Sequence, residues 1–305
     1  MLNGEKRIAA IVVTYNRKQL LCECLEALLN QTYRDFDIYV IDNASTDGTE
    51  TMVRDRFSNQ PINYLNTGNN LGGAGGFQYG IKCAVEAGYT YVWIMDDDSI
   101  PRQDALEKLV KQGKLYNQFG FLASKVLWID GTCCKMNIPK NEKMQGFIRS
   151  TEKASCVGAA TFVSIFIPTS VILDVGLPIK EFFIWTDDLE FTRRISRKYS
   201  CFYVPESEVY HKCATNNGAN IATDVEDRID RYWYAYRNEV YLYKREGIAG
   251  LIHLGLRTPI HLLRVLMKAK TSKKKRMNII LKGTLTGMHF APQVEYCKNN
   301  YEKNN

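Results

Sequence analysis

The chain is short of several things, and each shortage excludes a class. It begins with the charged stretch Met1 to Arg7 and passes directly into a strand-like run from Ile8 to Thr14. There is no apolar core of signal-peptide length, so a cytosolic chain is expected. The one long apolar stretch, Ile248 to Met267, is broken by His253, Arg257, Pro259, His261 and Arg264. It therefore lacks the roughly 20 uninterrupted apolar residues of a spanning helix. Nine cysteines contain no CxxC pair, and neither Cys22/Cys24 nor the adjacent Cys133/Cys134 fits a zinc ribbon or a disulfide framework. They read as reduced, mostly core thiols. No internal repeat and no nucleic-acid recognition module is visible, and no nucleic-acid partner is expected. A dinucleotide fingerprint is missing too: in the glycine-rich run Leu71 to Phe77 the pattern that starts at Gly73 places Gln78 where its third glycine must fall.

What is present is a globular composition. With 305 residues, 45% of them hydrophobic, the chain can bury one large core plus an appendage. The net charge is +7, and the excess is clustered. Lys268, Lys270, Lys273, Lys274, Lys275, Arg276 and Lys282 crowd the last quarter beside apolar stretches.

Apolar runs at Ile8 to Val13, Ile38 to Ile41, Ile62 to Leu65 and Tyr91 to Met95 are each followed by a helix-like stretch. This alternation predicts a parallel sheet wrapped by helices, an α/β fold. Leu20, Leu21, Cys24, Leu25, Leu28 and Leu29 fall at helical spacing, and Gln103 to Val110 forms another helix entered through Ser99-Ile100-Pro101. Beyond Gly120 the pattern loosens into an apolar run at Phe121 to Trp128, a polar loop at Lys135 to Lys153 and a strand-like Ala159 to Pro168. A helix from about Asp187 precedes a short strand at Cys201 to Val204 and then His211. The polar, Asn-rich segment Ala214 to Ala222 marks the boundary between a domain at 1–215 and a helical, basic region at 216–305.

In such sheets ligands gather beyond the C-terminal ends of the strands. The polar groups collect there: Thr14 and Asn16 after the first strand, Asp42 after the second, Asn66 to Gly76 after the third, and Asp96, Asp97 and Asp98 after the fourth. Three adjacent carboxylates repel one another, and a divalent cation removes the problem, with Asp96 and Asp98 as ligands and a substrate diphosphate completing the shell. The triplet alone is equally compatible with a solvated acidic turn that caps the next helix. Asp187 and Asp188, at the start of the LEFTRRI helix, have a capping reading as well. A lone His211 is more often structural than a ligand.

Taken in order, VVTYNR (Val12 to Arg17), IDNASTDGT (Ile41 to Thr49), NNLGGAGGF (Asn69 to Phe77), DDD (Asp96 to Asp98) and WTDDLEF (Trp185 to Phe191), followed by His211, resemble the family 2 glycosyltransferases of the GT-A fold over the first two-thirds of the chain. The resemblance implies a Rossmann-like nucleotide-diphospho-sugar transferase fold with a helical C-terminal extension. It also implies an inverting enzyme that needs Mn²⁺ or Mg²⁺. On matching positions, Asp42 corresponds to the carboxylate that reads the nucleobase edge, and Thr14 and Asn16 line the nucleoside pocket. Asn70 and Gly73 let the backbone approach the donor's sugar or phosphate. Asp96 and Asp97 face the ribose-diphosphate, and Asp96, Asp98 and His211 hold the metal. Asp188 aligns with the catalytic base, and Asp187 with a group that holds the acceptor hydroxyl.

The GGAGGF run resembles the galactofuranosyltransferase branch, which implies UDP-galactofuranose as donor and a saccharide acceptor, lipid-linked, in cell-surface polysaccharide synthesis. Trp185 stands one residue earlier than that branch's tryptophan, with Thr186 between, and this departure bears on acceptor contacts. The alternatives are a rhamnosyltransferase using dTDP-rhamnose and a silent glycan-binding subunit. Against the latter stands the intact set of Asp96, Asp98, Asp188 and His211, because such a subunit has no need to keep like-charged carboxylates gathered. The C-terminal segments suit either an interfacial helix on the anionic inner face of the membrane or a bundle packed on the domain or on a second copy. On the first reading, removing everything after about Lys244 should leave the donor site formed.

Overall fold

The computed structural model describes residues 7–216 and 218–297. The charged opening Met1 to Lys6, Asn217 of the polar loop and the end from residue 298 lie outside the described residues. The first half follows the expected alternation: β1 (Ile8–Thr14), α1 (Lys18–Leu29), β2 (Phe36–Asp42), α2 (Thr49–Arg56), β3 (Ile62–Asn66), α3 (Gly72–Glu86) and β4 (Tyr91–Asp96). Then come β5 (Ser99–Pro101), α4 (Ala105–Gly113), β6 (Leu122–Trp128), β7 (Ser155–Cys156), β8 (Ile165–Pro168), α5 (Thr169–Val175), α6 (Asp187–Ser196) and β9 (Phe202–His211). Three helices end the described chain, α7 (Tyr232–Tyr243), α8 (Gly247–Lys268) and α9 (Lys273–His289).

The strands form one sheet in the order β3-β2-β1-β4-β8-β6-β9-β5, with β7 also on β9. β1 to β4 are parallel, while β8 runs antiparallel to both β4 and β6. Side chains of a strand alternate between faces. In β1, Ala9, Ile11 and Val13 enter one core with Phe77, Ile81 and Phe191, and Ile8, Ala10 and Val12 enter another with Leu21, Leu25 and Trp93. Burial on both faces is why this strand is a continuous apolar run.

Two local expectations change. Ser99-Ile100-Pro101 is not the lead-in of a helix but strand β5, paired antiparallel with β9 so that Ser99 sits opposite His211. The predicted strand at Ala159 to Pro168 is confined to Ile165–Pro168, where β4 and β6 offer partners.

The last three helices form a layer on the α/β part. α9 lies against α7 through Gly283 and Gly287: a Cβ at Gly287 would stand 2.6 Å from the Arg237 carbonyl, and one at Gly283 2.8 Å from Tyr236 Cβ. After α9 the chain returns across α3, where Glu295 pairs with Lys82 at 2.7 Å and its carbonyl accepts from Leu177 N at 2.8 Å. Cys297 enters the main core. Truncation after Lys244 would strip α9 from α7 and the returning segment from α3.

Candidate active site

Register sets the site. Thr14 lies opposite Asp42, Val13 opposite Asp96, and Asp42 opposite Asn66, so four strand ends stop at one level. At the second of these ends Asp42 is wholly buried, with Oδ1 accepting from Ser45 N at 2.9 Å and Oδ2 from the Tyr64 hydroxyl. Burial and the Asp42 carboxylate hold the Tyr64 phenol above its ordinary range. Asn16, in the left-handed region at φ 53°, accepts from Thr46 N at 2.7 Å and ties the β1 end to the β2 loop.

The three aspartates diverge. Asp97 is buried, accepting from Thr14 Oγ1 at 2.7 Å and Arg17 at 3.1 Å, so the Thr14 hydroxyl is spent inside the wall of the site. Asp98 Oδ2 takes the same Arg17 at 2.8 Å, and its Oδ1 lies 3.2 Å from His211 Nε2 without a completed hydrogen bond. Asp96 stays partly accessible at the β4 end. Burial, then repulsion from Asp98 and Asp97, lifts the Asp96 carboxyl well above its usual range; Asp187 adds to this, and Arg17 opposes it. Burial also pushes Asp97 up to about 6 against Arg17. For Asp98 burial works the other way from His211 and Arg17, which together hold it below its ordinary value. One arginine thus serves three carboxylates. An unsatisfied carboxylate oxygen beside an imidazole nitrogen, with excess negative charge around it, fits a hard divalent cation on Asp98 and His211; among the described residues the oxygens of Asp96 are not gathered within 4.8 Å of both.

Opposite this cluster the segment Phe183, Trp185 and Thr186 has φ of 65°, 66° and 69°. Such conformations persist only where surroundings hold them. Here the holder is Asn238 of α7, fully buried, whose Nδ2 donates to the carbonyls of Phe182, Ile184 and Trp185 at 3.0, 3.1 and 2.8 Å. From the other side the Phe183 carbonyl accepts from Ala74 N at 3.1 Å. Gly72 is obligatory at this contact, with φ of 70° and a hypothetical Cβ 2.1 Å from that oxygen. Asn70 Oδ1 accepts from Gly72 N at 2.9 Å, and Gly73 has open space at its Cβ position.

The turn delivers Asp187 and Asp188 to the start of α6. Burial, then the neighbouring Asp188 charge, raises Asp187 well above the carboxylate range. Burial places Asp188 at about 6. Its Oδ1 accepts from Leu189 N at 2.7 Å. Glu190 is held by Arg194 at 2.9 Å, which also bonds the Val175 and Leu177 carbonyls. Sequence reading did not single out Arg17, Tyr64 or Asn238. Arg17 lay within the quoted VVTYNR motif, whereas nothing local marks Asn238, a polar residue in an aromatic-rich helix.

A parallel first half, a mixed second half in which β8 is antiparallel to β4 and β6 while β6 and β9 run parallel, and an acidic strand end opposite a carboxylate-bearing helix define the GT-A fold. The chain superposes on Staphylococcus aureus TarS in complex with UDP with a TM-score of 0.56 at 15% identity, over 93% of this chain and 72% of that one. It also superposes on the mannosyltransferase PcManGT from Pyrobaculum calidifontis, in complex with GDP-Man and Mn²⁺, with a TM-score of 0.58 at 14% identity, over 92% and 87%. Residues 9–115 match the model for glycosyl transferase family 2, and the chain carries a domain of that family. Over 80% of its length it is 26% identical to galactofuranosyltransferase GlfT1 of Mycolicibacterium smegmatis, covering 85% of that protein. The GlfT1 of Mycobacterium tuberculosis is 28% identical, with 84% of it covered.

Proposed function

We propose that the protein is an inverting glycosyltransferase that moves galactofuranose from UDP-galactofuranose to a hydroxyl of a saccharide acceptor. The observation that carries this reading is Asp188. It stands at the head of α6 with its carboxyl at about 6, in a turn braced on both sides and electrostatically linked through Asp187 to the Asp96 cluster. A base near neutrality is suited to take a proton from an attacking hydroxyl. In the step proposed, the acceptor oxygen bonds to the anomeric carbon, its proton passes to Asp188, and the bond from that carbon to the diphosphate breaks on the opposite face to release UDP. Asp187 orients the acceptor hydroxyl. Asp98, His211 and Asp96 hold the divalent cation, which when bound neutralises charge on the departing diphosphate. Asp42, Asn16 and Asp97 shape the nucleoside end, and Asn70 and Gly73 border the sugar. The donor assignment rests on the GlfT1 relatives. Incubation with UDP-galactofuranose, Mn²⁺ and a panel of saccharide acceptors, with UDP release and product linkage measured, tests it. Transfer from dTDP-rhamnose but not from UDP-galactofuranose would replace the donor.

The same reading gives region 216–305 a positioning role through Asn238 and a docking role through α8. Ile248, Leu251, Leu256, Ile260, Leu263 and Met267 are exposed along α8 at helical spacing. No described helix is long and apolar enough to cross a membrane. A helix of this kind, flanked by exposed Lys268, Lys270, Lys273 and Lys274, suits an interfacial position on anionic lipid. Two members of the basic cluster are unavailable for this. Arg276 is buried and donates to the Ile221 and Asp224 carbonyls, and Lys275 pairs with Asp230 at 3.0 Å.

A further inference from the structure

Behind His211, on the side away from the aspartates, the fold assembles two cysteines that lie 79 residues apart in sequence. Cys134 Sγ is 3.9 Å from Cys213 Sγ and 3.9 Å from His211 Nδ1, and all three donor atoms fall within 4.8 Å of one another. A tetrahedral Zn²⁺ with Zn–S bonds of about 2.3 Å and a Zn–N bond of about 2.0 Å separates two thiolate sulfurs by about 3.8 Å, and a sulfur and an imidazole nitrogen by about 3.5 Å. Two sides of the observed triangle come within a few tenths of an ångström of these separations, and the third, from Cys213 Sγ to the imidazole, lies within 4.8 Å.

The loop and the strand end that carry the cysteines are fastened together. Lys135 N donates to Asn216 Oδ1 at 2.8 Å, Asn216 Nδ2 to the Cys133 carbonyl at 3.1 Å, and Trp128 Nε1 to the Cys213 carbonyl at 3.0 Å. Cys134 is buried and Cys213 partly exposed. An open groove of about 690 Å³, lined by Trp128, Cys133, Lys135, Ala214 and Thr215, runs past the chain neighbours of both.

We propose that Cys134, Cys213 and His211 Nδ1 form a second metal site, thiophilic and suited to Zn²⁺ or Cd²⁺, whose occupation excludes His211 from the hard-cation site on the other side of its ring. A neutral imidazole has one lone pair. With Nδ1–H on Asn137 Oδ1, 2.9 Å away, that lone pair is at Nε2, facing Asp98. A thiophilic cation on Nδ1 displaces Asn137 and moves the proton to Nε2, which then becomes a donor to Asp98 and no longer a ligand. The site itself stands on the triangle alone; the exclusion rests on the proposed role of His211 in holding the catalytic cation.

The test is titration of the reduced full-length protein with Cd²⁺, following the ultraviolet thiolate-to-metal charge-transfer band, and separately measuring Mn²⁺-dependent UDP binding. One Cd²⁺ per chain is expected, with binding at least about 100-fold weaker in the double variant Cys134→Ser/Cys213→Ser, since a lost ligand should exceed the 10- to 100-fold effect of a lost outer partner. Cys213→Ser alone, at a partly exposed position, guards against a folding defect, and Cys156→Ser should bind like wild type. An unchanged band in the double variant overturns the site, as does Cd²⁺ that binds the wild-type protein without a thiolate band, which would put the cation among the aspartates. Cd²⁺-loaded protein that still binds UDP with Mn²⁺ undiminished overturns the exclusion. Absence of glycosyl transfer with any donor, with the band intact, would count against the proposed function and leave the site standing.

Discussion

Among single residues the sharpest expectations concern carboxylates. Asp188→Asn should leave UDP affinity nearly intact and lower turnover on the order of 10²- to 10⁴-fold, the usual worth of a positioned base. Near-normal turnover in a purified, folded variant would move the base to Asp187, because Glu190 is already committed to Arg194. A base works deprotonated, and burial raises Asp188 to about 6. Turnover should therefore fall as pH drops through about 6 and level off above it. A flat profile from pH 5 to pH 8 would be inconsistent with Asp188 in this role. Asp98→Ala removes an anionic ligand from a cation with few protein oxygens and should abolish the Mn²⁺ dependence of UDP binding in calorimetry. Undiminished Mn²⁺-dependent affinity would take Asp98 out of the site.

Between elements, the decisive contact is the turn before α6, clamped by α3 from one side and α7 from the other. Asn238→Leu keeps the volume but leaves three carbonyls without their shared donor, and an unsatisfied buried polar group costs about 1–3 kcal/mol. The expected result is a lower denaturation midpoint, with turnover falling more than donor affinity. A variant that loses stability but keeps wild-type turnover would show that Asn238 does not position Asp188. Gly72→Ala probes the other side of the clamp. It must place a Cβ 2.1 Å from the Phe183 carbonyl and hold alanine at φ 70°, a conformation worth about 1–3 kcal/mol of strain before the clash is counted. Wild-type stability in that variant would mean that α3 and the turn are not in contact.

For the molecule as a whole, the exposed stripe of α8 and the lysines beside it predict binding to anionic vesicles that weakens with salt, since screening shortens the reach of charge to about 8 Å at physiological ionic strength. Leu256→Asp/Ile260→Asp/Leu263→Asp should release the protein from such vesicles and leave transfer to a soluble acceptor unchanged, because these side chains point away from the packed layer. Each of the four lysines that flank α8, Lys268, Lys270, Lys273 and Lys274, is worth about 1 kcal/mol near such a surface. Indifference of the wild-type protein to anionic vesicles at low salt would sink the membrane reading.

The parallel half of the fold was legible because its signals are local. A strand buried on both faces must be apolar throughout, and a chain that leaves it must turn with polar groups at its end, so β1 to β4 and the level at which Asp42 and Asp96 stop were written in composition and period. The identities and spacings in VVTYNR, DDD and WTDDLEF carried the kinship. Pairing between distant segments has no such signature. Ser99-Ile100-Pro101 became a strand because β9 stood beside it, and that pairing brought His211 to Asp98. Asn238 joined the site because α7 folds back onto a turn more than fifty residues earlier, and Cys134 met Cys213 only because β9 ends beside the loop after β6. Sequence by itself determined which segments would be strands and which polar groups would stand at their ends, since those depend on neighbours in the chain. The tertiary structure alone decided what holds the strained turn before Asp188 and what lies behind His211, since those depend on neighbours in space.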